Sequence, residues 1–397
     1  MSSVTPVDVI QTVGLENEWR RLRERVTNWV ERSDPDLRPM LRQQFQGSSK
    51  YFRPLTVFAC HYAVSSHRPP PETVFIAAQA IEMFHNVTLI VDDLVDESAT
   101  RREKLTLHAQ YNPLTAWMVA GYIDACAVDL LASQLTDECA DQRGGDDETR
   151  TRRDQSLEDR SETLPDAKDR ARDSVLAPRD FDERRDWKAI NEAGPVRFDL
   201  RLLSELKRRL AIAECVQWDN RKGGVLRKAE PLKDQRLGLA DWRYLAREDT
   251  GSMFEICACL GARSQRYRRL GRLLGMLYHG CDDVADVANL KGLGGEDGGD
   301  EDLVDGILTL PAALAIENDA TIRKLFSQEH RNKQELRTLL EAFRAQLKTA
   351  RTKLDEIALQ AKDEARYLQV RNDAQIRELI KQVRALGDPA TTGIHSA

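Results

Sequence analysis

Two acidic clusters of the form Asp-Asp-x-x-Asp stand far apart in this 397-residue chain: Asp92, Asp93 and Asp96 make the first, Asp282, Asp283 and Asp286 the second. Each follows an apolar stretch, residues 83–91 and 273–281, where an uncompensated carboxylate is costly. On a helix, residues i and i+4 project from nearly the same side. Asp92 and Asp96 would therefore form a two-pronged oxygen site, with Asp93 about 100° round the axis. Carboxylates held this way suit magnesium, a hard ion that takes one or two of them and keeps its other positions for water and phosphate. One copy of the pattern is a weak signal; two copies in apolar helical sequence are a stronger one.

Basic groups lie near these clusters. Lys50 and Arg53 are three residues apart at the start of a predicted helix, a pairing suited to gripping a phosphate, although alone it reads as a solvated turn. His85 precedes Asp92 by seven residues, two helical turns, and so shares its face. A single histidine on such a face is more often a satisfied core residue. Arg101 and Arg102 follow the first cluster closely enough to offset its charge and reach phosphate oxygens.

The elements that must hold these residues read as helices. Apolar residues recur at three and four through 15–30, 74–95, 114–135, 202–216, 267–287 and 336–365, and alternating β-branched runs are scarce, so the predicted fold class is all-α. Pro69, Pro70 and Pro71 form a loop leading into a helix, and the Gly-rich residues 292–299 read as a mobile loop after the second cluster. Residues 136–186 are dominated by Asp, Glu, Arg and Lys and carry few large apolar side chains. They cannot offset their ordering entropy by burial, and read as a disordered or loosely helical insertion within one domain spanning 1–397; a solvated helical hairpin is the alternative.

Composition narrows the function classes. With 59 basic and 65 acidic residues, net −6, and no basic stripe interleaved with aromatics, no nucleic-acid partner is expected. The seven cysteines, Cys60, Cys126, Cys139, Cys215, Cys257, Cys259 and Cys281, are odd in number and scattered, as reduced thiols in a cytosol would be. No stretch reaches 18 uninterrupted apolar residues and the N-terminus lacks a signal-like pattern, so the expectation is a cytoplasmic protein without an integral membrane segment.

Taken in order, residues 82–96 with Arg101, Arg102 and His108 resemble the first aspartate-rich region of the trans-isoprenyl diphosphate synthases, the farnesyl and geranylgeranyl diphosphate synthase family. Residues 273–287 resemble their second aspartate-rich region, and Thr309-Leu310-Pro311 the segment beyond it. The resemblance implies a helical bundle around an apolar cavity, a homodimer, and magnesium as cofactor. It implies condensation of isopentenyl diphosphate with an allylic prenyl diphosphate. Lys50, Arg53, His85 and Arg102 would then bind the homoallylic diphosphate. Asp92, Asp96 and Asp282 would hold magnesium on the allylic diphosphate beside Arg101, with Asp93 and Asp283 in the catalytic set. Thr250, Gln217 and Asp219 match further substrate-binding positions of the family. Upstream of Asp92, Thr88, Val87 and Phe84 would meet the tip of a growing chain; small residues at the first two and an aromatic at the third imply a twenty-carbon product.

Some positions depart from the family pattern. Asp249 stands where a lysine is usual before Thr250, Ile307 stands for a second lysine, Glu103 for a glycine, Tyr122 for an aspartate and His279 for a glutamine. Each lost lysine removes a charge-assisted contact worth about 1.5 to 3 kcal/mol. Two rival readings accommodate these changes: a terpene cyclase acting on a single prenyl diphosphate, and a non-catalytic partner subunit of a synthase.

Overall fold

The computed structural model describes residues 6–45, 51–65, 69–101, 104–133, 194–220, 237–290, 301–328, 330–368 and 373–388. Before the first acidic cluster come α1 (Pro6–Val13), α2 (Glu16–Arg32), α3 (Arg38–Phe45), α4 (Phe52–Ser65) and α5 (Glu72–Val95). A two-stranded hairpin, Thr100–Arg101 with Lys104–Leu105, then leads to α6 (Leu107–Gln110), α7 (Pro113–Ala132) and α8 (Gly194–Asn220). Next are α9 (Leu239–Glu248), α10 (Thr250–Ala262) and α11 (Arg268–Asn289). The chain closes with α12 (Glu301–Asp305), α13 (Leu310–Asn318), α14 (Ala320–Phe326), α15 (Lys333–Ala345), α16 (Leu347–Tyr367) and α17 (Ala374–Ala385). The expected all-α class is what the described residues form, with one short hairpin added.

The core is centred on α10, every residue of which is buried. It lies between α4 and α11, and α5 packs against both α4 and α10. Gly271 and Gly275 of α11 make the α10 contact possible: a Cβ on them would sit 2.4 Å from the Phe254 carbonyl oxygen and 2.6 Å from that of Thr250. Such close backbone approach carries the second acidic cluster toward the start of α10. Buried charges tie α8 to the same core. Glu255 of α10, fully buried, pairs with Arg209 of α8 (3.1 Å) and with Arg268 (2.6 Å) and Arg272 (2.8 Å) of α11. These cations outweigh the effect of burial and hold the Glu255 carboxyl below its usual range.

Helix ends explain much of the local order. Pro71 occupies the N-cap position of α5 without a side-chain hydrogen bond, where the triple proline places the helix start. Thr309 caps α13 by accepting from the Ala312 amide, with Pro311 in the first turn. Asn332 and Glu335 form a capping box on α15. Both acidic clusters sit at the C-terminal ends of their helices, with no basic residue in the last turn of either. Carboxylates there face the negative end of the helix dipole, so the placement favours a bound cation over stability.

The pattern 336–365 is two helices, broken at Gln346 with neither Gly nor Pro at the joint; α15 packs against α13 and α14 while α16 packs against α11 and α17, and tertiary contacts set the break. By length and composition two helices could cross a membrane, α5 and α7, although uninterrupted apolar runs are absent. The apolar window of α5 is 72% buried inside the protein, as a core helix is; that of α7 is 33% buried. The charged stretch 136–186 and the Gly-rich residues 292–299 lie outside the described residues. Residues 1–131 and 199–397 group as one compact unit, and 132–198 group apart.

Candidate active site

A cavity of about 690 Å³ opens among α5, α7, α8, α10 and α11. Asp92 and Asp96 from the end of α5, and Asp282 and Asp286 from the end of α11, all line it. Glu214 of α8, Asp249 at the α9–α10 junction and Asp302 add further carboxylates. The remaining wall includes Val87, Thr88, Val91, Leu210, Leu245 and Met253, so an acidic end passes into a largely apolar one. Burial, then Glu214, then Asp249 push the Asp92 carboxyl well above its usual range, with Arg101 partly offsetting them. Excess negative charge of this kind is relieved by a cation.

The adjacent aspartates of each cluster face different surroundings. Asp93 is buried, does not line the cavity, and accepts a 2.6 Å hydrogen bond from Arg101 Nε. Burial raises its carboxyl despite that contact. Asp283 borders the cavity, but its Oδ2 accepts from Trp242 Nε1 at 2.7 Å and from the Leu310 amide at 2.8 Å. It thereby joins the second cluster to α9 and to the start of α13.

Of the basic residues, Arg53 and His85 line the cavity together, with Arg53 Nη1 3.0 Å from His85 Nε2. The Arg53 guanidinium also lies over the rings of Phe254 and Tyr278, at 5.7 and 5.8 Å, which fixes its direction. Arg101, Thr250 and Gln217 reach the same cavity. Lys50 and Arg102 are outside the described residues, and so is the Asp219 side chain.

Where the family pattern has a lysine and a glutamine, Asp249 and His279 form a pair. His279 Nδ1 is 3.5 Å from Asp249 Oδ2 and 3.1 Å from Thr250 Oγ1, and Nε2 is 3.9 Å from Asp283 Oδ1. Burial works against the imidazolium, but Asp283, Asp249 and Asp282 overcome it and raise His279 to about 9. For Asp249 burial is likewise outweighed, by His279 and then Arg53, and its carboxyl stays below the usual range. The pair is thus an imidazolium beside a carboxylate, with no net charge of its own.

The far end of the cavity is defined by Phe84 of α5, Asp124 of α7 and Lys207 of α8. Lys207 Nζ is 2.5 Å from Asp124 Oδ1 and 5.4 Å from the centre of the Phe84 ring. Phe84 is eight residues before Asp92, about 12 Å at 1.5 Å per residue; Lys207 is seven before Glu214, about 10.5 Å. Because Glu214 acts on Asp92 while Lys207 touches Phe84, α5 and α8 run the same way along the cavity. Lys207, Asp124 and Glu214 were not singled out from sequence. Lys207 and Glu214 share the helical spacing 207, 210, 214, 217 with Gln217, whereas Asp124 on α7 carries no such signal.

Among the described residues no three His, Cys, Asp or Glu side chains converge on one point as a ready-made metal cage. The donor set nevertheless fits magnesium: hard oxygen ligands, in excess of nearby cations, spread so that each ion would take one or two.

Comparison with known proteins agrees with this architecture. A family model described as Polyprenyl synthetase matches residues 34–154. A geranylgeranyl diphosphate synthase of Saccharolobus solfataricus is 29% identical over 28% of this chain and 32% of its own length. One from Mycobacterium tuberculosis is 36% identical over 23% and 25%. The matched stretches thus span about a third or less of these relatives. In structure, a polyprenyl synthase from Caulobacter crescentus CB15, solved with calcium and isoprenyl diphosphate, aligns with a TM-score of 0.66 over 96% of this chain and 98% of its own, at 19% identity. A heptaprenyl diphosphate synthase from Staphylococcus aureus gives 0.66 over 94% and 97%, at 16% identity. At such identities the likeness speaks for the fold alone. The resemblance to the polyprenyl synthetase family is therefore borne out, in sequence over 34–154 and in fold over nearly the whole chain.

Proposed function

We propose that this chain is a magnesium-dependent trans-prenyltransferase that condenses isopentenyl diphosphate with an allylic prenyl diphosphate, giving chiefly the twenty-carbon product. The observation that carries this reading is a single cavity with both aspartate clusters at one end and an apolar wall leading away from them. Asp92, Asp96 and Asp282 would hold the metal, which supplies Lewis acidity at the leaving diphosphate and orients it. Arg101 adds a cation at the same end and is held in place by Asp93.

Arg53 and His85 serve the second diphosphate: the guanidinium donates to His85 Nε2, and that contact fixes Arg53 so that its other N–H groups can meet the anion. A second anionic substrate explains why a guanidinium and an imidazole are kept beside a cavity otherwise rich in acid. The apolar wall excludes water from the allylic cation and leaves the double bond of the second substrate as the nucleophile; no protein nucleophile is needed. Asp93 and Asp283 act in this scheme through the residues they hold, Arg101 for one and Trp242 with Leu310 for the other.

A cyclase reading has one observation in its favour, Asp249 in place of a cation near the allylic end, of which the protonated His279 beside it offsets only half. Chain termination at twenty carbons is supported by the small Val87 and Thr88 and the larger Phe84, which line the same cavity. The protein is further proposed to work in the cytoplasm as a homodimer. Leu114 and Met118 of α7 are 67% and 57% exposed, an apolar surface suited to a second copy. Turnover of the Asp92→Ala and Asp282→Ala variants, measured against magnesium concentration, tests the reading: each should lose activity by orders of magnitude while keeping its helicity, and normal turnover in either would refute the assignment.

A further inference from the structure

Most of the wall beyond the acidic end is apolar, yet its far limit carries an ion pair. Lys207 of α8 and Asp124 of α7 meet at 2.5 Å, level with Phe84 of α5, and the Lys207 ammonium lies 5.4 Å from the Phe84 ring centre. Both side chains remain partly open, 29% for Lys207 and 35% for Asp124, and both line the cavity. They are presented to the space a hydrocarbon would enter, rather than sealed behind it.

We propose that the Lys207–Asp124 pair is a charged floor that sets product length by desolvation, in addition to the bulk of Phe84; this rests on the condensation proposed above. A prenyl tip reaching that level would strip water from an ammonium and a carboxylate while offering neither a hydrogen bond. Growth stops where that penalty exceeds the gain from burying another isoprene unit. Phe84 contributes twice, by filling space and by holding the lysine through its ring face. The sequence logic is now visible. Leu210 and Ala211, one turn further along α8, border the channel where a chain must pass, and Lys207 stands where it must end.

The test removes charge while keeping bulk. The double variant Lys207→Met with Asp124→Leu, and the swapped pair Lys207→Asp with Asp124→Lys, are compared with the unmodified chain. Each receives magnesium, farnesyl diphosphate and excess isopentenyl diphosphate; products are dephosphorylated and separated by chain length. The apolar double variant should shift its main product upward by at least one five-carbon unit, and the swapped pair should keep the original length. Unchanged length in the apolar variant, with condensation proceeding, overturns the charged floor and leaves the function standing. Lengthening by the swapped pair overturns it as well, because charge would then be present without effect. Absence of condensation in the unmodified chain refutes the function and the floor together. Should the apolar variant fail to fold, Lys207→Gln with Asp124→Asn keeps a hydrogen-bonding neutral pair and should show the same shift in smaller measure; no shift there overturns the floor.

Discussion

The Trp242 indole donates a 2.7 Å hydrogen bond to Asp283, the residue immediately after the cavity-facing Asp282. Adjacent aspartates of one cluster therefore have separable tasks, and substitution should separate them. Asp283→Ala leaves the buried Trp242 and Leu310 N–H groups without an acceptor and should lower unfolding free energy by about 1–3 kcal/mol or more. Asp282→Ala should leave stability nearly unchanged and remove turnover. Denaturant unfolding alongside steady-state kinetics checks both; equal stability loss in the two variants would contradict the division.

Protonation of His279 adds a pH dependence with a defined sign. Its folded-state value is raised from 6.5 to about 9, so the imidazolium is favoured in the native protein. The resulting stabilisation is fully present below about pH 6.5 and is lost as pH rises through about 9. The melting temperature of the metal-free protein should fall across that window. In His279→Gln the fall should be much shallower, and an identical profile would show that other groups are responsible.

Burial of Glu255 among Arg209, Arg268 and Arg272 makes it one of the points at which α8 is fastened to α10 and α11, beside the Glu205–Arg268 pair. Glu255→Ala leaves three guanidinium groups without that partner and should cost about 3–5 kcal/mol in chemical denaturation. Because the carboxyl is held below its usual range, the contribution of the cluster is present at neutral pH and fades as pH falls through the folded-state value. A variant as stable as the parent would mean that the cluster is electrostatically neutral in effect.

Chain length offers a steric prediction distinct from the charged floor. Phe84 and Val87 line the same wall at different depths. Phe84→Ala should lengthen the product, and Val87→Phe, nearer the acidic end, should shorten it. If neither moves the distribution, this wall does not determine length.

The all-α class and the acidic cavity were legible because their signals are local. An i, i+4 carboxylate pair at the end of an apolar helix is unusual, and Asp92, Asp96 and Asp282 do line one cavity. What spacing cannot reveal is which of two neighbouring aspartates is tied up in hydrogen bonds to other elements. Asp93 and Asp283 have the same type and context as their neighbours, and only packing gives them Arg101 and Trp242 as partners. Lys207 and Asp124 were illegible for a related reason, since a single charge on a helix normally faces solvent. Glu255 gave no signal at all, because its three arginines come from two other helices. The break at Gln346 has no local marker either, although α15 packs chiefly on α13 and α14 and α16 chiefly on α11 and α17.

Product identity tests the central claim most directly. The purified chain is incubated with magnesium and farnesyl diphosphate, with and without isopentenyl diphosphate, and the products are identified by mass. The account predicts geranylgeranyl diphosphate only when both substrates are present, and no product after magnesium is chelated. A cyclised hydrocarbon from farnesyl diphosphate alone would contradict it in favour of a cyclase, and no reaction under any of these conditions would contradict the enzymatic reading itself.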